Sequence, residues 1–167
     1  ESLSIPRGAI TKPKTILDQD AVHLLFHEDT TIIKGKRVFD DLIYAYRIQV
    51  VTGLRSGELL ALEWSDIKDH TVNITKSVNI SGECTQGKNQ NAKRSFVINP
   101  LLQSLLDAQR KLSDGPHIFP EITEKGYYYR LKRYCRANSI PEVSPYELRH
   151  TFVSIAQNLP EGDLKQL

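Results

Sequence analysis

Two short segments each place a single arginine where phosphate chemistry would use one. Thr52-Gly-Leu-Arg55-Ser-Gly-Glu58 sets Arg55 between a helix-ending glycine and a helix-starting serine. Backbone N–H groups are unpaired at a helix start and favour anions. A guanidinium fork matches two oxygens of a phosphate better than an ammonium does. Glu58, three residues on, is placed to orient Arg55 or to cap its own helix. The second segment, Tyr146-Glu-Leu-Arg149-His150-Thr151-Phe, follows Ser144-Pro145, a cap and a proline at the first helical position. Tyr146 and Arg149 are three apart and share a helix face. His150 points about 100° away from Arg149, so both face one site only where that helix end is partly enclosed. Between the two segments, Gln86-Gly-Lys88-Asn-Gln-Asn-Ala-Lys93-Arg94 offers Lys88 in a polar link before a strand. A lysine there can reach into a DNA groove and protonate a departing oxygen. Lys93 and Arg94 compete for that role, and otherwise read as backbone-phosphate contacts or guards of a strand edge. Taken singly, each residue also has an ordinary reading: a surface arginine in a turn, a solvated lysine at a hairpin tip, a packed histidine.

The elements that must position these residues follow from patterning. Residues 1–14 read as an interdomain linker, broken by Pro6, Gly8 and Pro13 and made basic by Lys12 and Lys14. Residues 15–167 read as one domain. Asp18 is a good cap for a helix burying Val22, Leu25 and Phe26. Lys34-Gly-Lys-Arg37 reads as a loop into a helix over 38–51, with Leu42, Ala45, Tyr46 and Gln49 along one face. Gly53 terminates that helix in the left-handed conformation, and Ser56 is placed to cap the next. The alternation over 71–80 predicts a half-buried strand, and 93–98 a second, with turns and short strands over 81–91. Helical spacing returns over 101–112, 123–138 and from Ser144 to about 158, and residues 160–167 read as the start of one more helix. The fold class is mainly α with a small antiparallel β-sheet.

Composition narrows the function classes. The 167 residues carry 22 Lys and Arg against 20 Asp and Glu, a net charge of only +2, so bulk charge argues weakly for a nucleic-acid partner. The distribution argues more strongly: Lys125, Arg130, Lys132, Arg133 and Arg136 occupy one helix with no acidic residue over 125–136. No run approaches the roughly 18 apolar residues of a membrane span, and no signal peptide is evident. Cys84 and Cys135 lack the spacing of a disulfide framework or metal site and read as reduced thiols of a cytoplasmic protein.

The order and combination of the boxes resemble the tyrosine recombinase (phage integrase) family over roughly residues 15 to 167. Thr-Gly-Leu-Arg-Ser-Gly-Glu-Leu comes first, then a lysine before a β-strand, then Tyr-x-Leu-Arg-His-Thr-Phe on a helix. The resemblance implies that Arg55 and Arg149 are the two catalytic arginines and that Glu58 is the acidic residue following the first. Lys88 is similar to the hairpin lysine that acts as general acid toward the 5′-hydroxyl. Tyr146 stands where the family most often has histidine. A phenol there suits hydrogen bonding to phosphate better than base catalysis. His150 matches a mostly structural histidine.

The implied activity is site-specific cleavage and rejoining of duplex DNA through a 3′-phosphotyrosine, with no cofactor and no metal. Lys93, Arg94, Lys125, Arg130, Lys132 and Arg133 are the expected DNA contacts. The family's nucleophilic tyrosine belongs after Leu167 and has no counterpart in this chain. The expectation is therefore a C-terminally truncated catalytic domain, inactive in cleavage alone. It would be monomeric in isolation, with tetramers on DNA expected of the full-length family. The alternative is a non-catalytic DNA-binding module or regulator that kept the phosphate pocket.

Overall fold

The interior is organised around one helix that the site depends on. The computed structural model describes residues 14–79, 82–86 and 94–158. Helix α1 (Gln19–His27) starts where Asp18 accepts a hydrogen bond from the Ala21 amide at 2.9 Å. It buries Ala21 and Leu25, while Val22 and Phe26 are half-buried against the core.

Next comes an antiparallel hairpin, β1 (Thr30–Ile33) and β2 (Lys36–Phe39), where the sequence reads as a loop entering a helix. Lys34 and Gly35 both take positive φ (49° and 76°), the geometry of a tight two-residue hairpin turn. The β-branched run Thr30-Thr-Ile-Ile33 supplies the first strand. Asp40 ends the hairpin and accepts the Leu42 amide at 3.1 Å, so helix α2 (Ile43–Thr52) starts five residues later than the pattern suggests.

Helix α2 is buried nearly all round rather than along one face: Ile43, Ala45, Tyr46, Ile48, Gln49 and Val50 are all inside. Such a helix belongs to the interior of a domain. Its one charged side chain, Arg47, is paired as burial requires, giving Nε to Leu25 O at 2.8 Å and Nη2 to Asp29 at 2.5 Å. Helix α3 (Ser56–Leu60), helix α4 (Pro100–Arg110) and helix α6 (Pro145–Asn158) pack against α2. Helix α5 (Glu124–Ala137) packs against β1, α3 and α6. Asn99 and Thr123 cap α4 and α5 through their side chains.

The expected strand over 71–80 divides at Thr75, because its halves take different partners. β3 (Ile67–Lys68), β4 (Thr71–Ile74) and β7 (Arg94–Val97) form one antiparallel sheet in the order β3-β4-β7. β5 (Lys76–Val78) pairs with β6 (Cys84–Gln86). Lys76, at the crossing point, is held by Glu63 at 2.7 Å and Asp66 at 3.3 Å. β4 buries Val72 and Ile74 alternately, and Ile74 stands opposite Arg94 in the register with β7. The mainly α architecture with small antiparallel sheets is as the patterning predicts. Residues 1–13 of the expected linker over 1–14 and the expected last helix over 160–167 lie outside the described residues, as do Lys88 and Lys93.

Candidate phosphate-binding site

The two arginine boxes meet at Gly53. This residue ends α2 with φ 62° and ψ 23° and donates its N–H to Gln49 O at 2.9 Å. A side chain here would be strained by the backbone, and a Cβ would lie 2.4 Å from the Phe152 ring of α6. The missing side chain therefore lets α6 approach the end of α2. From α6, Arg149 Nη1 donates to the Gly53 carbonyl at 2.7 Å. The first box thus orients the arginine of the second.

Arg55 is fixed from beneath. Leu54 is buried, and its carbonyl accepts from Gln49 Nε2 at 3.1 Å; Gln49 Oε1 in turn accepts the Tyr127 hydroxyl at 2.9 Å. Arg55 itself is the extended residue that starts α3, while Ser56 is the first helical residue rather than the expected cap. The Ser56 hydroxyl donates to Glu124 at 2.5 Å. Glu58 reaches back to accept the Arg55 amide at 2.9 Å and Arg55 Nη1 at 3.0 Å. The Arg55 side chain is otherwise open, 64% exposed. Arg149 lies deeper. Burial, and then the like charge of Arg55, lower its pKa from the ordinary value, but a guanidinium stays charged at neutral pH.

Arg55, Ser56, Glu124, Tyr146, Arg149 and His150 line one cleft of about 490 Å³. The α6 start that delivers three of them is fixed by a reciprocal cap. Glu147 accepts the Ser144 amide at 2.7 Å, and the Glu147 amide donates to the Ser144 hydroxyl at 3.3 Å. Tyr146 is exposed and meets His150 edge-on, with ring centroids 4.4 Å apart. His150 Nε2 is buried without a hydrogen-bond partner among the described residues. The helix end is enclosed enough for residues 146, 149 and 150 to share the cleft.

Elsewhere the expected contacts divide. Lys125 is exposed on α5. Arg130 is instead tied to Asp40 at 2.8 Å and to Asp41, which joins α5 to the start of α2. Lys132 lies 3.3 Å from the Glu142 carbonyl, and Arg133 is half-buried with its Nε unpartnered. Arg94, read from sequence as a DNA contact or edge guard, lies beside Glu58 and donates two hydrogen bonds to it at 3.0 and 2.6 Å. No spacing rule links residues 58 and 94; only the β4–β7 register does.

Tyr46, Tyr127 and Tyr134 are buried, and burial pushes each phenol well above its ordinary pKa. Tyr128 and Tyr129 are exposed on α5, outside the cleft lining. Tyr44 packs half-buried beside Arg47. Among the described residues, Tyr146 is the one tyrosine that lines the cleft.

Residues 15–159 match the phage integrase family, which covers nearly the whole domain. The chain belongs to that family. It is 27% identical over 143 residues to the ICEBs1 integrase of Bacillus subtilis (strain 168), covering 70% of this chain and 38% of that protein. In fold it is similar to the Tn1549 transposon integrase solved in complex with transposon right end DNA. The TM-score is 0.71 with 19% identity, covering 94% of this chain and 58% of the other. It is also similar to lambda integrase solved as a tetramer bound to a Holliday junction. There the TM-score is 0.64 with 18% identity, covering 96% of this chain and 48% of the other. The chain thus spans between about two-fifths and three-fifths of the length of these relatives.

Proposed function

We propose that these residues form the phosphate-holding part of an integrase catalytic domain, acting on duplex DNA. One observation carries the reading: Arg55 and Arg149, from boxes far apart in sequence, line the same cleft and are tied together through Gly53. During attack on a phosphodiester, negative charge builds on the two non-bridging oxygens. Preorganised guanidiniums aimed at those oxygens lower the barrier because they need no reorganisation as the charge develops. Arg55 reaches the phosphate from the open side and Arg149 from the α6 side. The exposed Tyr146 hydroxyl donates a further hydrogen bond to the same group.

The attacking group in this reading is a tyrosine that takes the 3′ phosphate and conserves the bond energy in a covalent intermediate. Lys88, between β6 and β7 in sequence, gives its proton to the departing 5′ oxygen. None of the seven tyrosines of this chain is that nucleophile: the three buried phenols are held protonated, Tyr44 packs beside Arg47, Tyr128 and Tyr129 lie outside the cleft, and Tyr146 serves as donor. These 167 residues accordingly bind DNA without cleaving it and are monomeric alone. Lambda integrase is seen as a tetramer on its junction, and four-fold assembly on DNA is proposed for the whole protein.

Incubation with a nicked suicide duplex over a range of salt concentrations tests both parts. The expected outcome is non-covalent binding whose log affinity falls linearly with log salt, as several phosphate contacts require, and no covalent adduct. Salt-independent or absent binding would remove the DNA reading. An adduct mapped to Tyr146 would reassign that residue as nucleophile.

A further inference from the structure

The Glu58 carboxylate is nearly buried, with 8% of its side chain exposed, and has about four acceptor positions. All four are used. Oε1 accepts from Arg55 Nη1 and Arg94 Nη1, each at 3.0 Å. Oε2 accepts from the Arg55 amide at 2.9 Å and from Arg94 Nη2 at 2.6 Å. Arg94 therefore takes both oxygens in the parallel fork that guanidinium and carboxylate prefer, leaving Arg55 a single side-chain bond.

Without Arg94, nothing else among the described residues engages that carboxylate except Arg55. The same preference for a two-bond fork would then draw the Arg55 guanidinium side-on against Glu58 and away from the cleft. Arg94 is absent from the cleft lining, and it projects from the first residue of β7, whose partner Ile74 is buried in the core. It thus stands on a rigid element behind the site.

We infer that Arg94 is a positioning residue: by saturating Glu58 with a two-bond fork, it keeps Arg55 turned outward to receive a phosphate. The inference rests on the reading of the cleft as a phosphate site. The electrostatics of Glu58 follow from the same contacts. Burial alone would raise its pKa, yet the value is lowered, with the Arg94 hydrogen bond the leading cause of the lowering.

The role differs from a direct phosphate contact in what can replace it. A lysine keeps the charge but cannot form the fork. A glutamine at 58 cannot capture Arg55 as a carboxylate does, so Arg94 should matter little in that background. The experiment measures affinity for a fluorescein-labelled duplex of mixed sequence by anisotropy, across a salt series. It compares the 167-residue chain with Arg94→Lys, Arg94→Ala, Glu58→Gln and the Glu58→Gln/Arg94→Ala double variant. Each protein is checked for folding by a thermal melt.

Arg94→Lys and Arg94→Ala are both expected to weaken binding roughly tenfold, the scale of one hydrogen bond to a charged group. The double variant should bind within about twofold of Glu58→Gln alone, the coupling that a shared partner produces. Wild-type affinity in Arg94→Lys would overturn the inference, and so would an equal loss from Arg94→Ala in both Glu58 backgrounds. If Arg94→Ala does not fold, Arg94→Lys and the double variant, which buries no unpaired carboxylate, still decide. A wild-type chain with no salt-dependent binding overturns the phosphate-site reading itself, and this inference with it. Wild-type binding with an unaffected Arg94→Lys overturns the inference alone.

Discussion

Arg55 and Arg130 are both held by carboxylates, but with opposite consequences. Arg55 gives one side-chain N–H to Glu58 and leaves the rest of its guanidinium open to the cleft. Arg130 is three-quarters covered and gives Nη2 to Asp40 and Asp41, joining α5 to the start of α2. The first carboxylate is itself occupied by another arginine; the second is fully buried and has one oxygen unpartnered. Charge counted along a helix is therefore not charge available to a ligand. The run of cations in α5 looks like a phosphate-binding stripe in sequence, yet Arg130 serves the fold, while an isolated arginine in a turn faces the cleft.

The largest effect expected from this contrast is catalytic. In a form of the protein able to cleave DNA, Arg55→Ala or Arg149→Ala should each lower the cleavage rate by at least about 10²-fold, the scale of losing one oriented donor to a developing oxyanion. Arg130→Ala, if stably folded, should leave the rate within a few-fold. A single-turnover assay on a nicked duplex measures all three. Comparable losses from Arg130 and Arg55 would erase the distinction between the two regions.

Stability should show the reverse order. Arg130→Ala leaves Asp40 buried without its cation and should cost about 3 kcal/mol in urea unfolding. Arg55→Ala removes an exposed side chain and should cost less than about 1 kcal/mol. Equal midpoints for the two variants would show that the Asp40 pair carries no structural weight.

The two carboxylates should also respond to acid with opposite signs. Glu58 has a folded pKa below its ordinary 4.5: burial works against ionisation, but the hydrogen bonds from Arg94 and Arg55 outweigh it. Its contribution to stability is present above pH 4.5 and is lost as pH falls through the lowered value. Asp40 is raised above its ordinary 3.8, with burial the leading cause, so the native state gains relative to the unfolded state as pH falls through that raised value. Urea melts at successive pH values should show the stability gap between wild type and Glu58→Gln narrowing below pH 4.5. A gap that stays constant with pH would mean that folding leaves the Glu58 pKa where it is in the unfolded chain.

What was legible in the sequence follows the same division. The helices α1, α4, α5 and α6 are legible in apolar spacing, with caps readable at Asp18 and Ser144; the caps at Asn99 and Thr123 are seen only in the fold. The Gly53 terminus was readable from local chemistry. Arg55, Tyr146, Arg149 and His150 are readable as two boxes, because each box is a local segment with its own capping logic; Glu124, which lines the same cleft from α5, belongs to neither. Contacts set by tertiary register were not readable: Arg94 reaches Glu58 only because β7 pairs with β4, and Arg130 reaches Asp40 only because α5 crosses the start of α2. The β1–β2 hairpin is obscured in the sequence because Val38 and Phe39 continue the apolar pattern of the helix that follows, although Gly35 after a β-branched run is compatible with a tight turn. Gln49 falls on a core face by spacing, but its bonds to Leu54 and Tyr127 depend on a buried partner that no spacing identifies.

The smallest expected effect separates cations within α5 itself. Lys125 is exposed on the first turn of the helix, next to Glu124, whose side chain lines the cleft. Arg130 is the one already engaged by Asp40 and Asp41. If Lys125 touches one phosphate, Lys125→Ala should reduce the slope of log affinity against log salt by about 0.9, the release of one counterion. It should weaken binding similarly on every duplex sequence, because a phosphate contact carries no base information. Arg130→Gln, which cannot keep the ion pairs but fills similar space, should leave the slope unchanged once the fraction of folded protein is accounted for. A slope that falls for Arg130→Gln and not for Lys125→Ala would mean that the α5 cations exchange their acidic partners for DNA, and that the ion pairs of the unbound fold report only its resting state.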